Sequence, residues 1–364
     1  GDDAMMDGPF GQKRIVYADY VASGRALMQV EEFVLREVLP YYANSHTEAS
    51  FCGGYVTRMR REARAAIARC CKADDNHAVI FAGSGATNGI NRLVNLLGVR
   101  DAVASGADAR VIVGPYEHHS NILPWREVGA QIVEIRELAE GGIDRAHLEE
   151  VLRDETAPAL TVCSLSAASN VTGILTDVAD VSRQVKSAGA LMVWDFAGAG
   201  PYVPIDMGLP IDAVVVSPHK FIGGPGASGI LIVRRDAVVS EKPTLPGGGT
   251  VKFVSPWGHD YSASIEAREE AGTPNVVGDI RAALVFLVKD ALGDAFMRAR
   301  NEWLAGYAMS RLTMMRNVTV LGSQTAKRLP IFAIRVGDGE GGFVHQQLAT
   351  RMLSDRFGVQ ARGG

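Results

Sequence analysis

Three short stretches combine residues that can do chemistry with neighbours that suit a buried place. The first is Gly83-Ser84-Gly85-Ala86-Thr87-Asn88-Gly89-Ile90-Asn91, which follows an apolar run and opens an amphipathic pattern. Free backbone N–H groups and the helix dipole at a strand-to-helix junction favour a phosphate, and small residues let the backbone approach it. Gly and Ser are also common at such turns for structural reasons alone, and this stretch by itself does not separate the two readings. The second is Trp194-Asp195-Phe196-Ala197. A carboxylate closing a very apolar run needs a partner, because an unpaired buried charge is costly. Ligands of open α/β sheets bind at the C-terminal ends of the strands. A cationic ring nitrogen would satisfy Asp195; a helix cap or a structural ion pair would do so too. The third is Ser217-Pro218-His219-Lys220, followed by glycine-rich residues 221–229. A poorly solvated lysine is more readily neutral and nucleophilic, as a Schiff-base amine must be, although lysines are more commonly exposed.

Bringing these stretches together requires a scaffold. Runs rich in Val and Ile recur at 78–82, 110–113, 131–135, 160–165, 191–196 and 213–217, with little polar alternation. Strands buried on both faces look like this, as in a parallel sheet covered by helices. Between them, residues 86–97 place Ile90, Leu93, Val94 and Leu97 on one helical face before Gly98, and a second helical pattern at 178–188 stops at Gly189. The alternation predicts an α/β sheet domain. The link 220–229 is too short for a crossover helix, which takes about a dozen residues or more. The strand at 230–233 is therefore expected to run antiparallel to its predecessor, giving a mixed, mostly parallel sheet. After Pro274 the pattern changes to helices at 276–292 and 294–316, strand-like 318–321 and 330–336, a helix at 343–356 and a short strand at 359–361. That reads as a small α+β unit.

Composition bounds the function. The 364 residues are 47% hydrophobic, ample for a large core and, at this length, for two domains. Charged residues make up 21% with both signs mixed and a net charge of -4, which does not favour nucleic acid as a partner. Residues 58–69 carry five arginines on a helical pattern and read as a solvated face. No apolar stretch approaches the ~20 residues that span a bilayer, so no membrane partner is expected. The start, Gly1-Asp2-Asp3-Ala4, lacks the order of a signal peptide. Cys52, Cys70, Cys71 and Cys163 form neither a CxxC metal pair nor a disulfide framework. They read as inert thiols of a reduced, cytoplasmic enzyme without a metal.

Together and in order, these segments resemble the class V aminotransferase group of fold-type I pyridoxal-phosphate (PLP) enzymes, especially its cysteine desulfurase and selenocysteine lyase branch. Val16-Tyr17-Ala18-Asp19-Tyr20-Val21-Ala22-Ser23-Gly24 is similar to the family's opening segment, and Gly85-Ala86-Thr87-Asn88-Gly89-Ile90-Asn91 to its phosphate loop. Glu117-His118-His119-Ser120-Asn121-Ile122-Leu123-Pro124-Trp125 and Ser169-Asn170-Val171-Thr172-Gly173 resemble two specific motifs. Asp195, Ser217-x-His219-Lys220 and Glu270-Ala271-Gly272-Thr273-Pro274-Asn275 complete the set. The resemblance covers nearly the whole chain. It implies a large PLP-binding domain at 24–274 and a small domain built from 1–23 and 275–364.

The resemblance also implies roles. Lys220 would carry the cofactor as a Schiff base and later move a proton. Asp195 would face the pyridine nitrogen, His118 would stack on the ring, and Asn170 would bond the ring's phenolic oxygen. The Ala86 and Thr87 amides, with the Thr87, Ser217 and His219 side chains, would hold the phosphate. Thr273 would reach the phosphate of the neighbouring subunit, making a homodimer with shared sites. Arg362 would grip the carboxylate of a small amino-acid substrate as a bidentate fork, and His46 would line the substrate side. A sulfur acceptor protein is the implied partner.

Two departures qualify that picture. The family's Asp-x-Ala is followed by Gln or His, whereas Gly198 stands here. In desulfurases a loop with the nucleophilic cysteine follows the segment matched by Ala361-Arg362-Gly363-Gly364; none of the four cysteines lies in that place, so either a cysteine follows Gly364 or the nucleophile is absent, and the sequence leaves both open. The implied activity is cysteine desulfurase-like. Transamination, epimerisation or another PLP lyase reaction is the alternative, and a PLP-binding protein without turnover a third.

Overall fold

Apolar runs too short for helices and unbroken by polar alternation form the centre of the molecule, as their composition predicts. The computed structural model describes residues 3–45, 48–156, 158 and 160–364. The chain opens with β1 (Met5–Met6), β2 (Lys13–Arg14), β3 (Val16–Tyr17), α1 (Met28–Phe33) and α2 (Phe51–Cys70). The next elements are β4 (His77–Gly83), α3 (Gly85–Leu96), α4 (Val99–Ala104), β5 (Ala109–Val113), α5 (Leu123–Glu127), β6 (Gln131–Glu134) and α6 (Arg145–Leu152). Then come β7 (Leu160–Ser166), α7 (Val178–Ser187), β8 (Leu191–Asp195), β9 (Ala213–Val216) and β10 (Gly229–Arg234). A hairpin of β11 (Val251–Ser255) and β12 (Gly258–Tyr261) leads to α8 (Ile265–Glu269), α9 (Val276–Leu292) and α10 (Asp294–Leu312). The chain closes with β13 (Val318–Val320), β14 (Ile334–Val336), α11 (Gln346–Phe357) and β15 (Val359–Gln360).

Seven strands form one sheet in the order β4-β10-β9-β8-β7-β5-β6. Strand β10 is antiparallel to both β9 and β4, whereas β9, β8, β7, β5 and β6 pair parallel. The short glycine-rich link before β10 thus does what its length dictates. Alternate residues serve opposite faces: Val193, Val215 and Leu231 pack with Ile90 and Leu93, whereas Trp194, Val214 and Ile232 pack with Ile67, Val185 and Phe286. The result is a helix–sheet–helix sandwich, the α/β fold expected from the sequence. Trp194 is buried with its Nε1 donating to Ser182 Oγ of α7 at 2.8 Å.

Elsewhere the structure differs from the sequence reading. The strand expected at 330–336 is shortened to Ile334–Val336. The final helix starts at Gln346 because His345 caps it, Nδ1 accepting from Gln347 N at 3.3 Å. The arginines of α2 are not simply a solvated face. Arg60 and Arg64 lie over the Phe81 ring and pair with Glu270, and Arg60 also pairs with Asp279. Their partners lie more than two hundred residues away, beyond the reach of a local pattern. At the termini, β3 pairs parallel with β15, with Val16 beside Val359 and Tyr17 beside Gln360.

Candidate active site

The candidate site lies along the edge of the sheet where β7, β8 and β9 end. Because β10 reverses, β4 also ends there and β10 begins there. Asp195 is the last residue of β8 and is buried. Its Oδ1 accepts from Ala197 N at 2.7 Å. Burial raises its carboxyl above the ordinary value, opposed by that bond and by Lys220. Lys220 follows β9 in a short turn, its N–H donating to Ser217 O at 2.9 Å. Burial pushes the Lys220 amine below its ordinary value; Asp195 opposes this and Arg362 adds to it. An acid driven toward neutrality faces an amine driven the same way.

The Lys220 turn is held from behind by the N-terminal segment. Gly24 N donates to His219 O at 2.8 Å, and a Cβ at Gly24 would stand 1.8 Å from Phe221 O. Only glycine permits that approach. A similar fit forms at the start of α3. Gly85 has φ +62°, and a Cβ there would meet His219 Cε1 at 2.9 Å and Ser217 Oγ at 3.0 Å. Ala86 N donates to Ser217 Oγ at 2.9 Å. Thus the turn 83–87, Ser217 and His219 are brought together although 131 residues separate Ala86 from Ser217. Thr87 is exposed above this junction, its Oγ1 2.7 Å from Ser120 Oγ.

His118 sits one turn away. Its Nδ1 accepts from Ser120 N at 3.2 Å, and because a backbone N–H can only donate, that nitrogen carries no proton. Burial, then Lys220, lowers the basicity of His118. Asn170 lies in the turn between Ser169 and Gly173, closed by Gly173 N donating to Ser169 O at 3.0 Å. A Cβ at Gly198 would lie 3.8 Å from Asn170 Cβ and 3.7 Å from Ala168 O, ordinary contact distances. Asn170 therefore stands beside the loop that follows Asp195, and position 198 has room for a Cβ. Arg362 is carried to the N-terminal segment by the β3–β15 pair; its Nε donates to Asp19 Oδ2 at 3.3 Å. One expected residue is not gathered in. Thr273 is exposed on the loop before α9 and makes no side-chain hydrogen bond among the described residues. His46 lies outside the described residues.

Sequence reasoning gave no role to Ser120, Asp19, Gly24 or Glu117. Ser120 and Glu117 stand in the His118 motif, so a signal for them existed. The Asp19–Arg362 pair spans 343 residues and left none.

The arrangement fits a phosphorylated, cationic ring. Small residues and backbone amides open α3 against Ser217 and His219, a buried carboxylate lacks a cation in hydrogen-bond contact among the described residues, and a lysine of lowered basicity lies near it. The chain matches the family model "Aminotransferase class-V" over residues 16–364. It belongs to the class V aminotransferase family. Members of that family use pyridoxal phosphate, and the chain is a PLP-dependent enzyme. It is 30% identical to a cysteine desulfurase of Pectobacterium atrosepticum over 370 residues, covering 100% of this chain and 86% of that protein. It is 27% identical to a probable cysteine desulfurase of Streptomyces coelicolor, covering 95% and 82% respectively. Among solved structures, a cysteine desulfurase from Escherichia coli superposes with TM-score 0.76 at 25% identity, covering 95% of this chain and 83% of that one. One from Thermococcus onnurineus superposes with TM-score 0.80 at 23% identity, covering 96% and 84%, and that likeness speaks to the fold.

Proposed function

We propose that this class V aminotransferase-family enzyme acts on a small amino acid in a cysteine desulfurase-like reaction, with its cofactor on Lys220. The observation that carries the reading is the placement of buried Asp195 at the end of β8 beside Lys220 in the turn after β9, each driven toward its neutral form by burial. When bound, the cofactor withdraws electron density from the substrate's Cα. The remaining work belongs to the chain. Asp195 supplies the counter-charge for a protonated ring nitrogen. Lys220, whose lowered basicity favours the free amine, takes and returns the Cα proton. Ala86, Thr87, Ser217 and His219 hold the phosphate at the start of α3. His118 covers one face of the ring, Asn170 meets its oxygen, and Arg362 binds the substrate carboxylate. Arg362 must then exchange Asp19 for the substrate. His46 stays in the proposal as a residue on the substrate side.

We also infer a homodimer in which Thr273 completes the partner's phosphate site. Thr273 is exposed, as that role requires. The β11–β12 hairpin presents Phe253, Val254 and Trp257 to solvent, Trp257 at 93% exposure, an apolar surface that a second subunit would cover. A second reading, turnover without sulfur transfer, draws on Gly198, which leaves no side chain beside Asn170 to tune the cofactor.

The test is direct. Purified protein should be yellow, and borohydride should fix the cofactor covalently on Lys220, located by peptide mass mapping. Supplied with a thiol reductant to reduce the released sulfur, the holoenzyme should convert cysteine to alanine and sulfide when read beside a panel of amino donors. No alanine from cysteine, with turnover only of amino donors, would replace the desulfurase reading with the second. A colourless protein that takes up no added PLP would remove both.

A further inference from the structure

Glu117 has no part in the roles above, yet it is the most heavily tied side chain at the edge of the site. Its Oε1 accepts from Ser166 N at 2.9 Å, and its Oε2 accepts from Ser166 Oγ and Asn121 Nδ2, each at 2.6 Å. The orientation of Asn121 follows from its other neighbours. Trp125 Nε1–H can only donate, and it points to Asn121 Oδ1 at 3.4 Å. Ser164 Oγ lies 2.6 Å from the same oxygen. The Asn121 amino group therefore faces Glu117. Gly114 leaves room for the carboxyl, since a Cβ there would stand 3.0 Å from Glu117 Oε1.

This network hangs the turn that carries His118 and Ser120 on strand β7. Ser166 is also the register partner of Asp195 on β8. Two carboxyls thus sit at neighbouring strand ends, and among the described residues no cation is bonded to either. Desolvation, opposed by the bonds from Ser166 and Asn121, pushes Glu117 up to about 7, and Asp195 adds to the rise. The other titratable groups around the pair are Cys163 of β7, held as a thiol by burial, Lys220 after β9, and His118 in the same turn. Lys220 is a weak counter-charge for Asp195, because its burial favours the neutral amine.

We propose that Glu117 is a positioning residue that anchors the His118 turn and gives up a proton when a cation pairs with Asp195, so that cofactor binding and Glu117 ionisation are linked. The proposal rests on the reading of Asp195 as the partner of the ring nitrogen. The linkage follows from Coulomb's law: pairing Asp195 weakens the negative field at Glu117, and its proton becomes easier to lose. The O–H bond breaks, the electron pair stays on the carboxylate, and the proton passes to the buffer. Bonds from Ser166 and Asn121 strengthen toward an ionised acceptor. The turn carrying His118 therefore tightens as the cofactor arrives.

The experiment counts protons. The cofactor-free protein is titrated with PLP by calorimetry in buffers of different ionisation enthalpy, across the pH range around neutrality. Wild type is compared with Glu117→Gln, so that protons exchanged at Lys220 cancel. Wild type should release more protons, with the difference greatest near pH 7, where Glu117 titrates. Equal counts would overturn the proposal. In an Asp195→Asn background the difference should vanish; its persistence would overturn the link. Should Glu117→Gln fail to fold, Ser166→Ala carries the test. Losing that hydroxyl donor disfavours the ionised carboxyl and should move the proton-release maximum to higher pH, and an unmoved maximum counts against the role. If wild type takes up no PLP, the cofactor reading itself falls, and this proposal with it.

Discussion

Asp195 concentrates the site's electrostatics in one side chain. Burial raises its carboxyl above the ordinary value. In the cofactor-free protein the folded state therefore holds that proton more tightly than the unfolded chain does. The resulting stabilisation is complete below the unfolded value and is lost as pH rises through the folded one. Asp195→Asn removes the cost of ionising a buried acid. The cofactor-free variant should match wild type at about pH 4 and melt higher than wild type at neutral pH. With the cofactor bound, the same change should lower kcat about 100-fold or more, because a charge met in the transition state has lost its partner. Thermal unfolding across pH and steady-state kinetics read the two effects separately. A variant with near-normal kcat would show that Asp195 does not meet the ring nitrogen. Asp195 and Lys220 were legible in the sequence because each closes an apolar run, where a charge has few reasons to stand. Glu117 was legible only as a motif letter; its bonds to Ser166 depend on how two segments meet.

At the scale of elements, the site depends on two backbones touching. A Cβ at Gly229 would lie 2.3 Å from Gly85 O, so β10 begins against the turn that opens α3. Gly229→Ala should destabilise the fold by about 1–3 kcal/mol through overpacking. It should also weaken PLP retention, because Gly85 belongs to the phosphate turn. Urea unfolding and equilibrium dialysis measure the two, and an unchanged affinity would separate the turn from the phosphate. A second junction joins α2, α8 and β4. Glu270 accepts from Arg60 and Arg64 and from Phe81 N at 2.8 Å. Glu270→Ala leaves Arg64 without its carboxylate and the Phe81 N–H unpaired, and leaves Arg60 to Asp279 alone. It should cost about 3–5 kcal/mol in urea unfolding, the range for breaking a buried pair by removing one partner. A loss under about 1 kcal/mol would place the cluster with ordinary surface pairs. The reversal of β10 was legible from link length alone. The partners of Arg60 and Arg64 were not, because helical periodicity shows which face a residue occupies and not what covers that face.

The whole-molecule claim is that each site needs two chains. Mixing Lys220→Ala with Thr273→Asp tests it. In a mixed dimer with shared sites, one site carries both lesions and the other carries neither, so activity should return toward one working site per dimer. Subunit exchange is confirmed by native mass spectrometry, and assays follow at matched PLP. No recovery after proven exchange would show that Thr273 serves its own chain. An interface of this kind would be large and related by a two-fold axis, and sedimentation should report a dimer.

The sequence alone determined the alternation of buried strands and helices, the reversal after the glycine-rich link, and the positions of Asp195, Ser217 and Lys220 at or just after strand ends, with Thr87 in the first turn of the helix after β4. These follow from side-chain period, turn chemistry and link length, all of which act over a few residues. Only the tertiary structure decided that Gly24 backs the Lys220 turn, that Asp19 meets Arg362, that Glu117 hangs from Ser166, and that Arg60 and Arg64 close on Glu270. Each of those contacts joins segments far apart in the chain. Its existence depends on how packed layers bring strand ends and termini to one edge, and no local pattern carries that information.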